Sequence, residues 1–193
     1  MYQWITEVTQ KIENWASEAD IVYNFAARYY HDVIKKEIVL ANITKRDHIL
    51  CIGGGICPFS AILLHQATGA KVTVIDNNMD CVLKARQVIA RLGLKSFVTV
   101  LCQDGSSRNL SFSEYTVIHF ALQVCPMECV FSHVEKYVAP GTKLLIRRPK
   151  RQLGKMYSRF FAPMLTSCPL TIHKNARNIG STILYVKQGN VPL

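Results

Sequence analysis

The chain has 193 residues, 49% hydrophobic and 19% charged, which reads as one globular domain with a sizeable core. Its start, MYQWITEVTQKIENWASEAD, carries acids and no apolar core, unlike a signal peptide, and no uninterrupted apolar run reaches transmembrane length. The net charge of +10 is concentrated after Glu135, where eleven Lys and Arg remain and no Asp or Glu, so a nucleic acid, a membrane surface or an acidic small molecule could meet that end.

In chain order, Trp4, Ile5, Val8, Ile12 and Trp15 fall at helical spacing and predict an amphipathic helix over residues 2–18. A second helical pattern runs from Ile21 to about Ile43 and carries Tyr29-Tyr30-His31, most simply packing residues. These elements form an N-terminal helical cap, residues 1–45, on a larger unit, residues 46–193.

That unit opens with HILCIGGGICPFSAILLHQATGAKVTVIDNNMD, residues 48–80. A short apolar run, Ile49 to Ile52, stops at Gly53-Gly54-Gly55; a helix follows from Phe59 to the Thr68-Gly69 stop; Val72 to Ile75 is a second strand, ended by Asp76. Glycines let the backbone turn tightly beside a ligand, and the next helix offers its positive end there. An acid about 20 residues on is placed to accept hydrogen bonds from ribose hydroxyls. The pattern predicts a nucleoside-containing cofactor.

NAD fits the start of the motif, but Pro58 stands where its third glycine would pack helix against strand. A helix from Asp80 to Leu92 leads to a third strand, Phe97 to Leu101, and a polar tip, Cys102-Gln103-Asp104-Gly105-Ser106, suited to an adenine. S-adenosyl-L-methionine (SAM) is the expected cofactor, with Gly53, Gly54, Gly55, Asp76, Asn77, Asp104 and Gly105 around it. His119 ends the fourth strand, Tyr115 to Phe120, near the expected sulfonium and is counted with them, although a satisfied core histidine is the simpler role for it.

Pro126 is placed one or two residues inside a helix reaching Val138, Lys143 to Ile146 is a fifth strand, and Arg147 to Lys155 is a basic loop before a short helix with Tyr157, Phe160 and Phe161. Leu170 to His173 and Ile183 to Val186, joined by NARNIGST, predict an antiparallel hairpin. The result is an α/β, Rossmann-like fold of the SAM-dependent methyltransferase type: a mainly parallel seven-stranded sheet flanked by helices. Seven scattered cysteines, odd in number, suit a reducing cytoplasm with buried thiols, and Cys125-x-x-x-Cys129 lacks the partners of a zinc site.

GGGICP resembles the G-S-G-P-L-P turn of nicotianamine synthases more closely than the usual D-x-G-x-G-x-G of methyltransferases, and both lack an acid at the end of the first strand, here Cys51. The resemblance continues in VIDNNMDCVLKARQVI, TVIHFALQV, HVEKYVAPGTKLLIRRPKRQLGKMYSRFF and ARYYHDVIKKEI, roughly residues 25 to 187. It implies transfer of the 3-amino-3-carboxypropyl group of SAM to an amine of a small, carboxylate-bearing metabolite. It also implies substrate-side or catalytic roles for Tyr30, Tyr157 and Arg147, the arginine clamping a carboxylate with Arg148 or Lys150.

The family's catalytic glutamate comes from a longer helical bundle; here Glu13 or Glu18 would stand in. A small-molecule methyltransferase on the same scaffold is the alternative. A nucleic-acid methyltransferase or binding protein is disfavoured, because His119-Phe120-Ala121-Leu122 lacks the N/D-P-P-Y/F stretch of base-modifying enzymes. A SAM-binding protein without catalysis, and a homodimer, are left open.

Overall fold

The computed structural model describes residues 20–158, 160 and 162–189, with side chains from Tyr30 onward. The helix expected over residues 2–18 lies outside them. Helix α1 spans Asp20–Ala41, and Val33, Ile34, Glu37 and Ala41 form its buried face at helical spacing. It ends at Asn42, whose φ of 47° is a conformation asparagine tolerates better than most residues.

The strands are β1 (His48–Ile52), β2 (Lys71–Asp76), β3 (Val98–Cys102), β4 (Val117–Phe120), β5 (Lys143–Pro149), β6 (Leu170–Ile172) and β7 (Ile179–Val186). Between them lie α2 (Phe59–Thr68), α3 (Met79–Arg91) and α4 (Met127–Tyr137). Gly69, at φ 73°, caps α2 by donating its N–H to the His65 carbonyl, as its place after Thr68 predicts. The Asn78 side chain caps α3, accepting from the Asp80 and Cys81 amides.

The seven strands form one sheet in the order β3-β2-β1-β4-β5-β7-β6. The first five are parallel; β7 pairs antiparallel with β5, and β6 with β7. Strands covered on both faces must be apolar on both, which is why they read as continuous hydrophobic runs. Ile49 and Cys51 join Val72, Val74 and Leu145 beneath α1, α2 and α3, while Leu50 and Ile52 join Ile75, Phe120, Phe131 and Ile146 beneath α4. The strand order reverses between β1 and β4, and a crevice opens there at the carboxyl edge.

Several expectations are corrected. Pro126 is the cap before α4, not a residue of its first turn, and β5 runs three residues past Ile146 because Arg147, Arg148 and Pro149 pair with β7. The helical turn after it is a 3-10 segment, Arg151–Met156, that ends before Tyr157 and Phe160; Phe161 lies outside the described residues. The last strand begins at Ile179, so half of NARNIGST belongs to the sheet.

Gly54 is the tightest point between the first turn and the sheet, since a Cβ there would overlap Val74 Cγ1. Gly54→Ala should cost about 1–3 kcal/mol through overpacking. Gly141→Ala, at φ 86° with nothing nearby, should cost about 1 kcal/mol by conformation alone. Urea unfolding of both variants checks the ranking.

Candidate functional site

Gly53 and Gly55 adopt φ of 83° and 61°, the left-handed region glycine enters without penalty. The Gly53 and Gly54 amides both donate to the Ile75 carbonyl, at 2.9 and 3.2 Å. The Gly55 amide donates to Asp76 Oδ2 at 2.8 Å and the Asn78 amide to Asp76 Oδ1 at 3.0 Å. Asp76 therefore fastens the turn to the tip of β2, and each of its oxygens keeps a lone pair for another donor. One strand over, Asp104 Oδ1 accepts from the Ser106 amide at 2.8 Å and its hydroxyl at 2.7 Å, and these bonds hold its carboxyl below the usual range.

These groups surround a cleft of ≈ 230 Å³ lined by Gly53, Gly55, Asp76, Asn77, Asp104 and Gly105, with Ile52, Ile75, Val124 and Val130 as apolar walls. Gly105 keeps it open: a Cβ there would lie 2.9 Å from both Ile52 and Val130 side chains. Acceptors at two strand tips, a glycine turn and flat apolar walls suit a nucleoside. Six of the eight residues expected around the cofactor thus share one cleft. Gly54 packs inward, and His119 lies outside the cleft.

His119 belongs instead to a buried network around Glu37, a residue the sequence reading did not single out. Glu37 is 0% exposed, Arg147 4% and His119 1%. Arg147 Nε donates to Glu37 Oε1 and Nη2 to Oε2, both at 2.8 Å, a bidentate pair. The Thr182 hydroxyl donates to Oε1 at 2.7 Å, and His119 Nε2 lies 3.2 Å from Oε2. All four acceptor sites of the carboxylate are filled. Arg147 Nη1 also donates to Ser60 Oγ at 2.8 Å, so α1, α2, β4, β5 and β7 are tied together.

Proton counting fixes the tautomers. A carboxylate only accepts, so His119 Nε2 carries the hydrogen, leaving a bare Nδ1 with no partner among the described residues. The Thr182 hydroxyl spends its proton on Glu37, so His173 Nε2, 2.8 Å from Thr182 Oγ1, must donate. Burial works to raise the Glu37 pKa, but Arg147 and then His119 outweigh it and hold the carboxyl far below the usual range. Burial, followed by the Arg147 charge, keeps His119 neutral below its ordinary 6.5.

Arg147 was expected to grip a substrate carboxylate; its guanidinium is already committed to Glu37. Its carbon lies 5.7 Å from the centre of the Tyr30 ring, which stacks on Phe59. Tyr30, His119 and Arg147 line a small cavity of ≈ 40 Å³ that shares Ile52, Gly53 and Gln123 with the cleft. Tyr157 is buried in an apolar cluster against which Tyr30 also packs, its hydroxyl accepts from Asn178 Nδ2 at 3.2 Å, and it faces a third cavity of ≈ 570 Å³. Glu13 and Glu18 lie outside the described residues. One signal marked Glu37: it stands on the same helical face as Val33, Ile34 and Ala41.

No protein-family model matches the chain. An L-histidine 2-aminobutanoyltransferase from Yersinia pestis is 25% identical over 118 residues, 61% of this chain, and the chain spans 43% of that relative's length. Among solved structures, a glutamate-to-glutamine variant of MtNAS, a nicotianamine synthase, in complex with S-adenosylmethionine superposes with a TM-score of 0.80 at 21% identity, covering 98% of this chain and 77% of that one. An RNA methyltransferase from Salinibacter ruber in complex with S-adenosyl-L-homocysteine gives 0.64 at 17% identity, covering 83% and 94%. The fold is the Rossmann-like fold of SAM-dependent transferases.

Two consequences for stability follow from the network. His119 is held neutral, so its share of stability is complete above 6.5 and is lost as the pH falls from there toward its lowered folded value. Glu37, also lowered, adds a share that is complete above 4.5 and lost below it. Urea midpoints measured from pH 8 to 3.5 should fall in that order. Glu37→Ala should cost about 3–5 kcal/mol at pH 7 by stranding Arg147 without its partner, and it should flatten the profile below 4.5.

Proposed function

We propose that this chain is a SAM-dependent transferase that moves the 3-amino-3-carboxypropyl group onto an amine of a small, carboxylate-bearing metabolite. The observation that carries the reading is the cleft at the reversal between β1 and β4, with Asp76 and Asp104 opposite the glycine turn. The kind of group moved is supported by the Yersinia pestis relative, an L-histidine 2-aminobutanoyltransferase. A cytoplasmic setting fits the placement of Cys51, Cys57 and Cys81 as buried, reduced cysteines.

When bound, SAM supplies the electrophile: the acceptor nitrogen bonds to the aminocarboxypropyl carbon, the carbon–sulfur pair returns to sulfur, and methylthioadenosine leaves. The chain's own residues set the geometry. Asp76 accepts ribose hydroxyls with its free lone pairs, Asn77 lies beside it, and Asp104 and Gly105 receive the base against the apolar walls. The turn at Gly53 and Gly55 brings backbone close to the ligand without a side chain in the way. Tyr30 and Tyr157 border the side the acceptor would enter, and either, ionised to its phenolate, would take the proton the amine must lose. Arg147 and Glu37 hold β4, β5 and α1 in register beside them.

A methyltransferase is the second reading, favoured by the Salinibacter ruber neighbour, and its product separates the two. The protein incubated with SAM and a mixture of amino acids, amines and polyamines should yield methylthioadenosine above the blank without enzyme. S-adenosylhomocysteine in its place would replace the proposed chemistry with methyl transfer.

For the cofactor, Asp76→Asn should weaken SAM binding about tenfold or more, because a charged acceptor is lost. Calorimetric titration checks it, with circular dichroism to verify the fold. Unchanged affinity would remove Asp76 from the cofactor site.

A further inference from the structure

The cleft runs across the strand tips, and its polar groups are unevenly spread along it. Asp76 and Asn77 stand at the tip of β2 and Asp104 at the tip of β3. On the far side, past β4, the polar side chains are Gln123 and the weakly bonding thiol of Cys125. Three residues line both the cleft and the ≈ 40 Å³ cavity, namely Ile52, Gly53 and Gln123, and of these the glutamine alone has a polar side chain.

Gln123 is carried on a fixed turn. The Ala121 amide donates to the Ile52 carbonyl at 3.0 Å, and the Val124 amide donates back to the Ala121 carbonyl at 3.3 Å. Leu122 and Val124 are buried on either side, whereas Gln123 is exposed. Gly53 lies directly against this turn, since a Cβ there would stand 3.1 Å from Val124 Cγ2 and 3.4 Å from Ala121 Cβ. The backbone is therefore held, while the Gln123 amide has no hydrogen-bond partner among the described residues.

A nucleoside whose base reaches Asp104 on β3 and whose ribose reaches Asp76 on β2 directs its 5′ substituent toward β1 and β4, the next strands in the sheet. In SAM that substituent begins with the sulfonium, and its longest arm ends in an ammonium and a carboxylate. Arg147 is committed to Glu37, and no charged side chain lines the cleft past β4. A charged residue in the place of Gln123 would answer one pole and repel the other. A primary amide answers both, since its oxygen accepts from an ammonium and its nitrogen donates to a carboxylate.

We propose that Gln123 is the positioning residue that grips the amino-acid end of SAM, and that it discriminates the intact cofactor from methylthioadenosine, which has lost that end. The assignment rests on the cofactor reading above and holds for transfer of either group. By fixing the arm beside Val124, Gln123 bears on which carbon of the sulfonium faces the acceptor. Where the aminocarboxypropyl group is the one transferred, the contact lapses with it, and methylthioadenosine is held by its nucleoside alone.

The test is calorimetric titration of the full-length protein with SAM, S-adenosylhomocysteine and methylthioadenosine. S-adenosylhomocysteine keeps the arm and lacks the methyl group; methylthioadenosine keeps the methyl group and lacks the arm. Gln123→Ala should weaken SAM and S-adenosylhomocysteine about tenfold, the loss of hydrogen bonds to charged groups, and leave methylthioadenosine unchanged. Gln123→Glu, which turns a carboxylate toward that of the arm, should weaken SAM at least as much and spare decarboxylated SAM, whose arm ends in the ammonium alone.

The proposal is overturned if SAM binds Gln123→Ala as it binds the wild type. It is overturned equally if methylthioadenosine loses as much as SAM does, which would make Gln123 a residue that shapes the cleft without touching the arm. A wild type that binds none of the three nucleosides would remove the cofactor reading itself, and this assignment with it.

Discussion

The position of the N-terminal helix depends on one buried carboxylate. Glu37 brings a negative charge into the layer between α1 and the sheet, and it is tolerable there because Arg147 meets it in two hydrogen bonds while Thr182 and His119 fill the remaining acceptor sites. Such a pair adds little net stability over a well-packed apolar one, since desolvating both charges offsets most of their attraction. Its contribution is placement. Four elements meet at one carboxylate and α2 joins through Ser60 and Arg147, which fixes α1 where Tyr30 lies against Phe59 and under the Arg147 guanidinium.

The same constraint explains how a strongly basic segment can fold. Arg147 and Arg148 are adjacent in sequence and differ in surroundings, because strand alternation turns them to opposite faces. One is neutralised inside; the other remains half-exposed beside a cavity. The pairing of Arg147 with Thr182 and of Arg148 with Ser181 across the antiparallel β7 continues the sheet past the point where an apolar run would suggest it stops.

That is also where sequence reasoning reached its limit. The strands and the cofactor turn were legible because their causes are local: apolar runs bounded by Gly53 and Asp76, and helix stops at Gly69 and Gly93 with positive φ. Gly53, Gly55, Asp76 and Asp104 share a cleft because parallel strands in register bring their tips together. Glu37 was passed over despite its place on the apolar helix face, because Lys35-Lys36-Glu37 reads as a solvated charge run and its partner is 110 residues away. Arg147 was visible as a residue of interest but not as a buried one, since the charge that neutralises it is contributed by another element. The Tyr157 helix was misplaced for a related reason: the aromatic spacing was real, but Tyr157 and Phe160 are fixed by packing after the 3-10 turn ends.

The cavities beside the cleft bear on which bond a bound sulfonium would lose. All three of its carbons are electrophilic, so a scaffold selects among them by which one it turns toward the acceptor. The small cavity at Tyr30, His119 and Arg147 measures ≈ 40 Å³, room for only about three water molecules on the usual measure. The Glu37 network fixes two of its walls, so it cannot widen without breaking buried hydrogen bonds. A methyl group fits there; an aminocarboxypropyl arm, with its charged amine and carboxylate, does not. In the proposed reading the arm is therefore turned out of this cavity and toward the side of Val124. In that reading the buried ion pair acts on the chemistry from a distance, by keeping one of the spaces beside the cleft small.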